Sequence, residues 1–134
     1  APAPAPRATG RILLVDDEKL ICTVASQVLQ TLGYEVITVS SGEEAIQCYR
    51  KLGRQIDLVI VDMVMPEMSG RECFLALKKL NPEIRVLLST GYGLNARTQE
   101  VLDEGMCGFV QKPYKMEEIA KALAAALRVP IPRP

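Results

Sequence analysis

Ile56-Asp57-Leu58-Val59-Ile60-Val61-Asp62-Met63-Val64-Met65-Pro66-Glu67-Met68-Ser69-Gly70 is the stretch that decides the fold. Its apolar run, Leu58 to Val61, is short, rich in β-branched residues, and stops on a carboxylate, Asp62. A run of that kind, bounded by polar and turn residues, suits a strand buried on both faces. Pro66 then forces a turn, and Ser69-Gly70 opens a helix. Open parallel α/β sheets build their sites where strands release their carboxyl ends. Asp62 sits at such an end and is the candidate reactive group.

Working outward, the same grammar repeats. Upstream, Ile12 to Val15 is a second buried run and ends in Asp16-Asp17-Glu18. Leu20, Ile21, Val24, Ala25, Val28, Leu29 and Leu32 then recur at helical spacing, with Gly33 as the stop. Tyr34 to Val39 reads as a strand, and Ser41-Gly42-Glu43-Glu44 matches a capping box. The helix it opens carries Ala45, Ile46, Tyr49 and Leu52 inward and closes at Gly53. Downstream, Ser69-Gly70-Arg71-Glu72 is a second capping box, for a helix reaching about Leu80 before Asn81-Pro82. Ile84 to Leu88 predicts the fourth strand, followed by Ser89-Thr90-Gly91-Tyr92-Gly93. A weaker helical pattern runs from Asn95 to Asp103. Cys107 to Val110 predicts a fifth strand, closed by Gln111-Lys112-Pro113, and a last helix aligns Met116, Ile119, Ala120, Leu123 and Leu127. Strands alternating with helices in this way predict a parallel sheet with helices on both faces, linked by right-handed crossovers.

Composition narrows the function. The 134 residues suit one domain, preceded by a Pro/Ala-rich linker over residues 1–10 and followed by a tail over 129–134. Lys plus Arg and Asp plus Glu number 16 each. Nothing in that balance favours nucleic-acid or membrane-surface binding, which draw on a basic excess. No apolar stretch has the length of a membrane span. Cys22, Cys48, Cys73 and Cys107 are scattered without a CxxC pair and read as buried, reduced thiols of a cytoplasmic protein. The chain has no histidine, so Ser–His and Cys–His nucleophile pairs and His metal ligands are excluded. Chemistry here must use carboxylates, a lysine and hydroxyls.

Four strand ends carry such groups: Asp16-Asp17, Asp62, Ser89-Thr90 and Lys112. A parallel sheet projects them all from one edge. Carboxylates gathered there repel, at a cost of roughly 4 kcal/mol for two unit charges about 4 Å apart at an effective dielectric near 20. A hard divalent cation such as Mg2+, which prefers oxygen ligands, relieves that cost. A carboxylate beside such an ion is suited to attack phosphorus. Lys112, Thr90 and main-chain N–H groups after Asp62 are then available to the equatorial oxygens.

The set Asp16-Asp17, Asp62-x-x-Met-Pro-x-Met-x-Gly70, Ser89-Thr90-Gly91 and Lys112-Pro113 resembles the receiver domain of two-component response regulators. The resemblance spans roughly residues 11–128 in order and spacing. It implies a flavodoxin-like (βα)5 doubly wound sandwich with strand order 2-1-3-4-5. By position it implies Asp62 as phosphoacceptor. Asp16, Asp17, Asp62 and the main-chain carbonyl of Val64 match the ligands of Mg2+, with Mn2+ as an alternative ion. Thr90 matches the switch hydroxyl, Lys112 the phosphate-pairing lysine, Phe109 the aromatic switch, and Pro113 a position where the family commonly has a cis bond. The domain would catalyse its own phosphorylation and dephosphorylation. Its implied partner is a histidine kinase or histidine phosphotransfer domain, in cis or in trans, with a phosphorylation-dependent dimer open. Its output would lie on the surface of the fourth helix, fifth strand and fifth helix.

Some positions depart from the pattern. Gly91 stands where many members have Ala, and Tyr92 occupies a position that influences phosphoryl lifetime. Gly91-Tyr92 is similar to receivers attached to hybrid sensor kinases. Phe109 lacks a tyrosine hydroxyl, so switching by that ring would act through packing. Two other readings are a receiver-like interaction module that works without phosphorylation, and a Mg2+-dependent phosphatase with an aspartyl-phosphate intermediate. The first tends to lose part of the acidic set or the lysine. The second characteristically has an acid two residues after its nucleophile, where this chain has Val64.

Overall fold

The computed structural model describes residues 10–91 and 95–128. The expected Pro/Ala linker up to residue 9, Tyr92 and the tail from residue 129 lie outside the described residues. The chain runs β1 (Arg11–Val15), α1 (Lys19–Thr31), β2 (Glu35–Val39), α2 (Gly42–Leu52), β3 (Leu58–Asp62), α3 (Gly70–Leu80), β4 (Val86–Thr90), α4 (Ala96–Asp103), β5 (Gly108–Gln111) and α5 (Met116–Arg128). A 3-10 turn, Gly53–Gln55, separates α2 from β3. All strand pairs are parallel, in the order 2-1-3-4-5.

The strand pattern sets the layers. Successive side chains alternate between faces of a sheet. Ile12, Leu14, Leu58, Ile60 and Leu87 therefore pack with Ala25 and Leu29 of α1 and Ile119 and Leu123 of α5. Leu13, Val15, Val59, Val61 and Leu88 pack with residues of α2, α3 and α4, including Tyr49, Phe74 and Val101. β3, at the centre, is buried along its whole length, Asp62 included.

Several sequence expectations shift. The fourth strand starts at Val86, later than Ile84, and includes Ser89 and Thr90. Asn81 delays it: its side chain accepts from the Glu83 N–H and its carbonyl from the Ile84 N–H, holding residues 81–84 in a turn. At the other end the Thr90 carbonyl accepts from the Lys112 N–H at 2.8 Å, extending the β4–β5 ladder. The second strand likewise begins at Glu35 and the fifth at Gly108. In α1, Leu20 and Val24 match the apolar period yet are 74% and 45% exposed; Ala25 and Leu29 face the core. Met116 of α5 is also exposed. The Ser69–Glu72 capping box forms in both directions. At Ser41 only half does: Ser41 accepts from the Glu44 N–H, but Glu44 returns to Ser40. All four cysteines are free, and only Cys73 is buried; the others are half-buried.

Gly70 connects fold to site. Its N–H donates to the Met63 carbonyl at 3.0 Å, drawing the start of α3 against the end of β3. A Cβ there would lie 2.3 Å from the Asp62 carbonyl oxygen and 2.9 Å from Met63 Cα. Both are backbone atoms, so neither has a rotamer by which to yield. Gly70→Ala is therefore expected to destabilise the fold by roughly 2–3 kcal/mol, as overpacking does. At Gly91 an added Cβ meets nothing within 4 Å among the described residues, and Gly91→Ala should stay within about 0.5 kcal/mol of the parent. Urea denaturation of the two variants checks the contrast; equal effects would show that close approach at Gly70 is not limiting.

Candidate functional site

The site follows from strand register. Val15 pairs with Val61 in neighbouring strands, so the residues that follow them, Asp16 and Asp62, emerge side by side. Asp62 pairs in turn with Ser89, and Thr90 with Gln111. Three strand ends and the β5–α5 turn thus meet at one edge of the sheet. Carboxylate oxygens of Asp16, Asp17 and Asp62 all lie within 4.8 Å of one another. Asp16 and Asp62 are buried, whereas Asp17 is exposed.

Lys112 closes the group. Its Nζ lies 3.1 Å from Asp62 Oδ1, 3.2 Å from Asp16 Oδ2 and 3.6 Å from Glu18 Oε1. Asp16 also accepts from the Glu18 N–H at 2.9 Å, which fixes the acidic loop before α1. A cavity of about 640 Å3 opens over these groups, lined among others by Asp17, Asp62, Val64, Thr90 and Lys112. Val64 is 69% exposed, consistent with a position whose side chain is not part of the packing. The Lys112–Pro113 bond is cis. Phe109 is half-buried beside the α2–α3–α4 core and pairs with Leu88, on the face of the sheet that Thr90 shares.

Charge is crowded here. Burial pushes the Asp62 carboxyl from 3.8 up to about 6; the Lys112 hydrogen bond opposes this, and the charge of Asp16 adds to it. Burial alone would lower Lys112, but its hydrogen bond to Asp62 and the charges of Asp62 and Asp16 outweigh that and hold it above its usual value. Burial, then the charges of Asp16 and Asp17, also raise Cys22, whose thiol donates to the Asp16 carbonyl.

The structure thus brings together Asp16, Asp17, Asp62, Val64, Thr90 and Lys112, and sets Phe109 apart from the cavity lining. Sequence reasoning passed over Glu18 as a partner of Lys112, although it directly follows the acidic pair. It also missed Tyr114, whose hydroxyl meets Ser89 Oγ at 2.5 Å; no local spacing signals that contact. The donor set suits a hard cation: it offers carboxylate oxygens, and the sequence has no histidine.

Comparison with known proteins agrees with this geometry. Residues 12–124 match the family model described as response regulator receiver domain. The chain is 33% identical over 119 residues to the sensor kinase CckA of Brucella abortus (strain 2308), covering 89% of this chain but only 13% of that protein. The crystal structure of a response regulator receiver domain protein from Clostridium thermocellum superposes with a TM-score of 0.83 at 31% identity, covering 88% of this chain and 94% of the other. A CheX–CheY–BeF3–Mg complex from Borrelia burgdorferi matches with a TM-score of 0.82 at 26% identity, covering 87% of each chain. Fold, site and family match converge: the chain belongs to the response regulator receiver domains of two-component signalling.

Proposed function

We propose that Asp62 is the phosphoacceptor of this receiver domain. The reading rests on one observation above all: Lys112 Nζ bridges two buried carboxylates, Asp62 and Asp16, at the floor of a cavity that Thr90 also lines. The ligands of a Mg2+ ion would be Asp16, Asp17, Asp62 and the Val64 carbonyl, with Mn2+ as an alternative. When bound, the ion supplies positive charge that offsets carboxylate repulsion and the charge on the phosphoryl oxygens.

The chain's own groups account for the rest. Ionised Asp62 attacks phosphorus with a carboxylate oxygen. The bond from phosphorus to the donor nitrogen breaks, and its electron pair leaves with the nitrogen. Lys112 stays beside the new acyl phosphate, and the Thr90 hydroxyl donates to a phosphoryl oxygen. The donor is a phosphohistidine of a histidine kinase or phosphotransfer domain, because this sequence has no histidine of its own. Similarity to a stretch of a sensor kinase supports a donor carried by another part of the same protein. Similarity to a complex titled with BeF3 and Mg supports the metal assignment. Val64, not an acid, follows Asp62 by two residues, which argues against the phosphatase reading.

With acetyl phosphate and Mg2+, Asp62→Asn is expected to incorporate no phosphoryl group, and Lys112→Ala to slow incorporation about a hundredfold or more. Intact-protein mass spectrometry reads both, and incorporation by Asp62→Asn at the parental level would remove Asp62 from its role.

A pH dependence follows as well. The folded Asp62 holds its proton up to about 6 against an ordinary 3.8. Its favourable contribution is complete below 3.8 and is lost as pH rises through about 6. Without divalent ions, the gain in stability from Asp62→Asn should therefore grow between pH 4 and 7, by on the order of 2 kcal/mol. Denaturation of both proteins across that range measures it. A gain that does not change with pH would show that ionising Asp62 carries no cost in the fold.

A further inference from the structure

Among the described residues, a main-chain and a side-chain hydrogen bond join the end of β4 to the turn that carries Lys112. One is main-chain, from the Lys112 N–H to the Thr90 carbonyl at 2.8 Å. The other is the 2.5 Å contact between Ser89 Oγ and the Tyr114 hydroxyl. The four residues form two neighbouring pairs, Ser89-Thr90 on the strand and Lys112 with Tyr114 on the turn. Ser89 is 1% exposed, and burial raises the Tyr114 phenol to about 12, so it stays neutral. Tyr114 packs on the α1–α5 face, beside the core that holds Leu87. Strand alternation puts Ser89 on that face and Thr90 on the other. The side-chain bond therefore fastens the turn from the side of the sheet opposite the Thr90 hydroxyl.

We propose, building on the reading of Asp62 and Lys112 above, that Tyr114 is a positioning residue for Lys112. Its bond to Ser89 ties the lysine to the strand end that bears Thr90, so that hydroxyl and ammonium meet the phosphoryl group as one unit. The main-chain bond holds the turn on the strand side of Pro113, and rotation about it would move the lysine's stem. The second bond, on the far side of Pro113, removes that rotation. Lys112 is then held where its Nζ spans Asp62 and Asp16.

The test compares the parent chain with Tyr114→Phe, Ser89→Ala and the double variant, with acetyl phosphate as donor. Phenylalanine keeps the ring that packs on α1 and α5, so the core is retained. Each single variant should slow phosphorylation about fivefold, the worth of one hydrogen bond, and the double variant should be no slower than the slower single one. Mg2+ binding, read by calorimetry, separates positioning from general loosening. A less restrained lysine competes less for Asp16 and Asp62, so Mg2+ should bind at least as tightly as to the parent. Losses that multiply in the double variant overturn the proposal, as does Mg2+ affinity that weakens in step with rate. Unchanged rates in variants of a parent that phosphorylates on Asp62 overturn it while leaving the phosphoacceptor reading intact. A parent that takes up no phosphoryl group on Asp62 overturns both.

Discussion

Repulsion among Asp16, Asp17 and Asp62 is the constraint on which the rest of the structure depends. Register makes it unavoidable. β1 and β3 are neighbours, Val15 sits opposite Val61, and the next residue on each strand is an acid. The protein answers with one cation brought from a distance. Lys112 follows β5, which lies two strands from β3, so its ammonium must cross above β4. Two strand spacings are about 10 Å. A lysine's long, flexible stem is suited to that reach, with a compact charge at its tip. Its main-chain bond to Thr90 sets the starting point of the crossing.

The single ammonium does not neutralise three acids. Burial first, and then the charge of Asp16, keep the Asp62 pKa raised even with Lys112 at 3.1 Å. Such local strain persists only where the surroundings over-determine it. Two cores supply that rigidity, one on each face of the sheet, and β3 is buried against both. Close approach of Gly70 to the Asp62 backbone completes the support from below. The carboxylates of Asp62 and Asp16 are therefore held together around the Lys112 ammonium, beneath a cavity that Asp17 and Thr90 also line.

What could be read from the sequence follows the range of the interactions involved. Leu58 to Val61, the Ser69–Glu72 box and the stop at Gly53 are local signals, and each formed where the residues indicated. The acids and the lysine were legible because a parallel sheet converts "end of strand" into a place. The fourth strand was misplaced because Asn81 holds its approach in a turn, an interaction that competes with apolar periodicity. Leu20 and Val24 fit the helical period, yet α1 presents a narrower buried stripe than its composition suggests. Ser89 and Tyr114 lie 25 residues apart, and only the folded sheet brings them together.

The same logic explains how α4 is attached. Its buried positions are only Thr98 and Val101, a small share of apolar contact for a helix on the sheet. Polar contacts hold its far end. Arg71 makes two bonds to Glu104, at 2.7 and 2.8 Å, and Lys78 donates to the Glu104 carbonyl at 2.9 Å. Lys78 in turn lies over the Phe74 ring. The near end has Asn95 as its cap and borders a cavity of about 360 Å3 shared with Thr90 and Met63. One end is pinned to α3, while the other borders the cavity that Thr90 also lines. Releasing the C-terminal end costs three polar bonds, whereas the N-terminal turn is held by the Asn95 cap and by the burial of Thr98 and Val101.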